Sequence, residues 1–225
     1  MSSETSESPI NSGGTSTGIR RDFRLYSGIW QRIKQITVFT QLDIVGMGVA
    51  GTLITMVILS LSPTLAPVVV GLVAYSVYVG DRISDTKYEP DATSARSAFI
   101  GRHRRLLSIT SAAAYGFAVA ISTLNGPLAL AITLIPGATW VVYAVELPES
   151  SRAPIKRLKT VFVLNSTLVA LAWATAMVLL PIVFAGATVT PVALVLAVYF
   201  FFDIFVNTEI PNVRDVDDDA RNDVA

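Results

Sequence analysis

The chain has no cysteine and a single histidine, His103. Without thiols there is no disulfide framework, no cysteine-ligated zinc site and no thiol nucleophile. One imidazole cannot build a multi-histidine metal centre. Charge is also scarce: 15% of the 225 residues are Asp, Glu, Lys or Arg, where an ordinary soluble domain carries roughly 25%. Hydrophobic residues make up 52% of the chain, and the mean hydropathy is +0.57. This balance excludes a soluble enzyme, a nucleic-acid-binding partner role and a wholly disordered chain. The formal net charge is zero, so bulk charge names no partner.

What charge there is clusters. Residues 44–80, 106–145 and 160–202 contain no Asp, Glu, Lys or Arg. A membrane-spanning helix needs about 20 apolar residues, so each of these windows holds two. Each also breaks near its middle with turn chemistry: Ser62-Pro63, with Pro67 following, in the first; Asn125-Gly126-Pro127 in the second; Gly186 to Pro191 in the third. Six spans are predicted, over about 42–61, 64–80, 106–123, 127–146, 160–183 and 189–206. The expected fold is an all-α polytopic membrane helix bundle in a lipid bilayer.

All 17 basic residues fall before the first span, between even- and odd-numbered spans, or after the last, and none lies in the three short turns. The positive-inside rule then puts both termini and every charged cluster on the cytoplasmic side of the cell membrane. Residues 1–19, rich in Ser, Thr and Gly, are expected to be a disordered cytoplasmic tail, and they lack the apolar stretch of a signal peptide. Residues 20–41, with Arg20, Arg21, Arg24, Trp30, Arg32 and Lys34, are expected to form an amphipathic helix on the cytoplasmic surface. Residues 42–225 form the transmembrane domain.

The chemistry-bearing residues follow the apolar spans. Asp81, Asp85 and Glu89 repeat every four residues after the second span, and Asp215, Asp219 and Asp223 do so after the sixth. Residues four apart share a helix face. Bare carboxylates on one face repel, and a hard cation such as Mg²⁺, which takes oxygen ligands and bridges carboxylates to phosphates, would offset that. Taken singly, such a stripe is the ordinary solvated face of a helix. Two of them at one membrane edge make a two-ion diphosphate clamp.

A basic loop, Pro154-Ile155-Lys156-Arg157-Leu158-Lys159, precedes the fifth span. Positive-inside anchoring accounts for it; Lys156 or Lys159 facing a leaving diphosphate would use it further. Asn165 lies six residues beyond Lys159, about 9 Å deeper at 1.5 Å per residue, where it joins helices or lines a polar cavity. Trp140, Tyr143, Trp173 and Tyr199 to Phe202 are either interfacial belts or the walls of an apolar tunnel able to shield a cation. Arg102, His103, Arg104 and Arg105 read as the topology signal of the third span.

With these residues in place, the chain resembles the UbiA superfamily of intramembrane prenyltransferases. That family carries N-D-x-x-D-x-x-x-D after its second helix. Val77-Tyr78-Val79-Gly80-Asp81-Arg82-Ile83-Ser84-Asp85 stands there, with Asp81 and Asp85 matching the last two aspartates and Val77 and Tyr78 replacing the Asn and first Asp. After its sixth helix the family has a form D-x-R-D-x-x-x-D. Asn212-Val213-Arg214-Asp215-Val216-Asp217-Asp218-Asp219 resembles it, with Asn212 for the leading Asp. Lys156-Arg157 is similar to the family's basic pair before the fifth helix. The family's fold has nine membrane helices, so the resemblance implies that the last three are not in this sequence.

The resemblance implies transfer of a polyprenyl group from a prenyl diphosphate to an aromatic or lipid acceptor. Mg²⁺ would be held by Asp81, Asp85, Asp215 and Asp219. Arg82, Tyr143, Lys156, Lys159, Asn165, Asn212 and Arg214 would contact substrate. Oligomeric state is left open. The alternative is a catalytically inactive or truncated membrane relative acting as a partner. A CDP-alcohol phosphotransferase is disfavoured because Asp81 and Asp85 lie four apart with no Gly in the D-x-x-D-G pattern. Ion-coupled transport places ionisable groups inside the spans, and the carboxylates here are expected at the membrane edge.

Overall fold

A computed structural model describes Thr37 and residues 41–85, 95–144 and 162–222, with side chains placed through 41–84, 96–141 and 166–210. The chain divides into two units, Met1–Val38 and Phe39–Ala225, and apart from Thr37 the described residues all belong to the second. The expected tail over 1–19 and nearly all of the expected surface helix over 20–41 lie outside the described residues.

Six helices and no strand are seen among the described residues: α1 Leu42–Ile58, α2 Ala66–Asp85, α3 Ala95–Leu124, α4 Pro127–Ala144, α5 Phe162–Phe184 and α6 Pro191–Asn222. The turn chemistry read from the sequence marks their ends. α1 closes with Ser60 at φ 52, where Ser60 N–H donates to the Val57 carbonyl at 3.1 Å and Leu61 N–H to the Met56 carbonyl at 2.9 Å. This is the left-handed cap in which the last carbonyls find donors. α5 ends in the same way on Gly186, at φ 62, with Ala187 N–H donating to the Ile182 carbonyl at 3.0 Å. α6 starts on Pro191, which has no N–H to leave unpaired, and the Thr190 hydroxyl accepts from Ala193 N–H at 3.2 Å. α4 likewise begins at Pro127, after Gly126 at φ 101.

Four helices are long and apolar enough to cross a membrane, through Ala66–Ser84, Arg96–Leu124, Ser166–Phe184 and Pro191–Ile210. They are compatible with an integral membrane protein. The other two apolar stretches, Leu42–Ile58 and Pro127–Val141, are shorter. At 1.5 Å per residue the first rises about 25 Å, less than the roughly 30 Å hydrocarbon core.

Two expected boundaries are corrected. α3 begins at Ala95 rather than near 106, and α6 continues to Asn222 rather than ending near 206. The reason is physical: scarce charge marks an apolar slab, but the backbone ladder runs on through polar sequence until something breaks it. A third expectation also changes. Asp203 lies within the apolar stretch Pro191–Ile210, seven residues from its end, so one carboxylate is not at the end of its apolar stretch.

The bundle packs around α2 and α5. Neighbouring pairs are α2 with α1, α3, α4 and α5, and α5 with α1, α4 and α6, while α3 also packs on α4. Val69, Val70, Val73 and Ala74 of α2 meet Trp173, Ala174, Met177 and Val178 of α5 in the main core. Glycines permit close approach: an added Cβ on Gly51 would collide with Met177 and lie 3.3 Å from Phe200. Buried hydroxyls are paired, as low polarity requires. Ser76 and Ser111 donate to each other's carbonyls at 2.8 and 2.9 Å across α2 and α3. Ser122 and Thr133 bond at 2.7 Å across α3 and α4.

Candidate active-site cavity

A partly open cavity of about 990 Å³ lies among α1, α2, α4, α5 and α6. α1 supplies aliphatic wall, including Ile44, Met47 and Ile54, and leaves width at Gly48 and Gly51. α2 contributes Ala74, Val77, Tyr78 and Asp81. Their spacing of three and four residues is that of one helix face. Val77 and Tyr78 are the positions where the family pattern carries Asn and Asp. Here they are wall: the Tyr78 ring stacks on Trp173 with centroids 5.7 Å apart and planes 10° off parallel.

α6 provides the polar side. Tyr199, Phe200, Asp203, Ile204, Asn207 and Thr208 all line the cavity. Asn207 Nδ2 donates to the Asp203 carbonyl at 2.8 Å and to its Oδ1 at 3.3 Å. Two residues beyond Asn207, Glu209 points elsewhere and accepts from the Ser166 hydroxyl of α5 at 2.5 Å. The lining residues thus include two carboxylates, Asp81 and Asp203, and no Lys, Arg or His.

Trp140 of α4 shares its ring between this cavity and a second one of about 820 Å³ among α2, α3 and α4. Gly80 makes room for it: a Cβ there would sit 3.1 Å from Trp140 Cζ2. Its indole Nε1 is buried with no hydrogen-bond partner among the described residues. A buried donor without an acceptor is costly.

The sequence-expected site residues divide as follows. Asp81 lines the cavity. Arg82 is not among the lining residues; its guanidinium reaches the Gln41 carboxamide. The backbone of Asp85 closes α2, and Tyr143 and Asn165 belong to the last turn of α4 and the first of α5. Asn212, Arg214, Asp215 and Asp219 are carried on α6. The side chains of these seven, and Lys156 and Lys159 altogether, lie outside the described residues. Among the described residues there is no group of three or more His, Cys, Asp or Glu able to hold a metal ion.

Of the aromatic residues expected as belt or tunnel wall, Trp140, Trp173, Tyr199 and Phe200 line the cavity, although Tyr199 is as exposed as Phe202, which does not line it. Asp203, Asn207 and Thr208 were missed by sequence reasoning. The signal was present: Asp203 ends the longest charge-free window yet falls inside the span drawn from it. His103 stays apart from the cavity, its Nδ1 3.0 Å from the Phe99 carbonyl and its ring 4.5 Å from that of Phe99. Comparisons with protein-family models, curated proteins and solved structures found no match to this chain.

Proposed function

We propose that the chain is an intramembrane prenyltransferase of UbiA type, moving a polyprenyl group from its diphosphate to an aromatic or lipid acceptor. The observation that carries this reading is one apolar, aromatic-walled cavity with the Asp81 carboxylate in its lining. The helical register extends it toward both aspartate-rich segments. On α2, Ala74, Tyr78 and Asp81 line the cavity, and Asp85 follows at the next step of the same three-four spacing. On α6, Ile204 and Thr208 line the cavity; Asp215 and Asp219 follow Thr208 at seven and eleven residues, again one helix face.

In this reading the spans Leu42–Ile58 and Pro127–Ala144 complete six crossings, with both termini and the aspartate-rich segments cytoplasmic. The donor's tail occupies the apolar cavity and its diphosphate lies toward Asp81. The carboxylates fit Mg²⁺ as hard oxygen donors, with Asp81 and Asp85 on one helix and Asp215 and Asp219 on the other. Mg²⁺, when bound, offsets the diphosphate charge as the carbon–oxygen bond breaks. Lys156, Lys159 and Arg214 add positive charge to the same end, while Arg82, Asn165, Asn212 and Tyr143 position substrate. The stacked Tyr78 and Trp173 rings shelter the allylic cation, and the acceptor's nucleophilic carbon or oxygen then captures it.

The test is diphosphate release and product formation by the purified chain with Mg²⁺ and prenyl diphosphates of graded length. Asp81→Ala and Asp215→Ala are each expected to lower turnover by about a hundredfold or more, the scale of losing a group that stabilises developing charge. Turnover unchanged in both variants would sink the reading. An unaltered chain that binds prenyl diphosphate without turning it over would point instead to a non-catalytic partner.

A further inference from the structure

We propose that the cavity is also a receptor for lipophilic organic cations, with an ammonium- or phosphonium-type centre held by Asp203 and the aromatic walls and its apolar substituents lying along α1 and α5. This goes beyond the prenyltransferase reading and needs neither a diphosphate nor a metal ion.

The argument starts from Asp203. It stands inside the apolar span Pro191–Ile210 and is partly buried. A carboxylate at such a position is expensive in a bilayer, and when present it marks a pathway or a counter-ion site. Its hydrogen-bond partner among the described residues is Asn207, a neutral amide on its own helix. That bond orients the carboxylate without supplying a counter-charge. Asp81 brings a second carboxylate to the same cavity, and none of the lining residues is basic. The cavity therefore selects for positive charge.

The walls decide which kind of cation suits it. A hard metal ion takes a shell of oxygen ligands and waters, whereas most of this lining is apolar or aromatic. Large, weakly hydrated organic cations need the opposite: aromatic faces, apolar surface and one or two counter-charges. Trp140, Trp173, Tyr78 and Phe200 supply the faces, and ring faces attract cations from within about 6 Å. Met47 and Ile54 of α1 and Met177 of α5 supply soft apolar surface. The volume of about 990 Å³ is at the upper end of ordinary small-molecule pockets, roughly 300–1,000 Å³. Two of the six other α6 residues in the cavity lining, Tyr199 and Phe200, are themselves aromatic.

The experiment compares two ions of one shape and opposite charge. The full chain, in non-ionic maltoside micelles with EDTA, is titrated with tritiated tetraphenylphosphonium, and tetraphenylborate is used as the competitor. Saturable phosphonium binding about tenfold or more tighter than that of the borate is expected, and Asp203→Asn should weaken it by about tenfold, a difference of 1.4 kcal/mol. Asp43→Asn should leave it unchanged, because Asp43 is exposed in the first turn of α1 and does not line the cavity. Equal affinity for the two ions, or phosphonium affinity indifferent to Asp203→Asn, would overturn the proposal. The comparison of ions on the unaltered chain decides the matter even if the Asn variant does not fold. The assay contains no Mg²⁺ and no prenyl donor, so its failure and a failure of prenyl transfer are separate results.

Discussion

α5 and α6 are both apolar enough to span a membrane, yet 56% of the α5 window is buried inside the bundle against 11% of the α6 window. Side-chain size and polarity go with the difference. α5 sets Ala170, Ala172, Ala174 and Ala176 among its larger residues, and all four are buried. Small residues let neighbouring backbones approach, which is how helices associate where lipid is as apolar as leucine. α6 spends one face on Val192, Val195, Val198 and Phe202, all exposed, and the other on the cavity through Tyr199, Asp203, Asn207 and Thr208. One helix holds the bundle together, and the other carries the polar chemistry at its side.

The largest effect expected from this contrast comes from one aromatic residue on each helix. Trp173→Ala on α5 removes the stacking partner of Tyr78 and a core side chain, and should cost about 3–5 kcal/mol. Phe202→Ala on α6 exposes little that was not already exposed and should fall within about 0.5 kcal/mol of the unaltered chain. Reversible unfolding in mixed micelles measures both; equal losses would erase the distinction between the two helices.

A smaller effect sharpens the same point on α1, where two glycines look alike in sequence. Gly51 faces Met177 and Phe200, whereas a Cβ on Gly46 would meet nothing within 4 Å. Gly51→Ala should destabilise by about 1–3 kcal/mol through overpacking. Gly46→Ala should instead stabilise by up to about 1 kcal/mol, because alanine is the better helix former. The same unfolding measurement decides, and equal signs would mean that α1 does not seat on α5 and α6 as described. The smallest effect is the coupling between Ser76 and Ser111 across α2 and α3. A double-mutant cycle to alanine should return about 0.6 kcal/mol, the average for hydrogen bonds between membrane helices. A value indistinguishable from zero would make the pair incidental to α2–α3 packing.

Most helix termini were legible because their signals are local. Asn125-Gly126-Pro127, Gly186 and Thr190-Pro191 act through backbone angles and missing or supplied hydrogen-bond partners within a few residues, and the helices end and begin there. The ends of α3 and α6 were not legible from charge alone. Arg102 to Arg105 look like loop sequence to a hydropathy argument but are helical, whereas the spacing of Asp215 and Asp219 already pointed to a helix face, and α6 runs through them. The candidate site was readable in part. Asp81 stood out through its spacing to Asp85, and Trp140 and Trp173 were visible as possible tunnel walls. Asp203 did not stand out, because its cavity partners come from α2, α4 and α5 and no spacing on its own helix announces them. Trp140 Nε1 illustrates the same limit: its burial without a partner is a product of helix packing that no local spacing announces.

By itself, then, the sequence determined the helical class, the apolar slabs and the chemistry at their turns, since each depends on composition or on residues a few positions apart. Which side of each helix meets protein, which aromatic residues become cavity wall and which carboxylates come together were decided only by tertiary structure. A face of α6 acquires its meaning from α1, α2 and α5, which are more than a hundred residues away in the first two cases, and contacts at that range leave no periodic mark on any single helix.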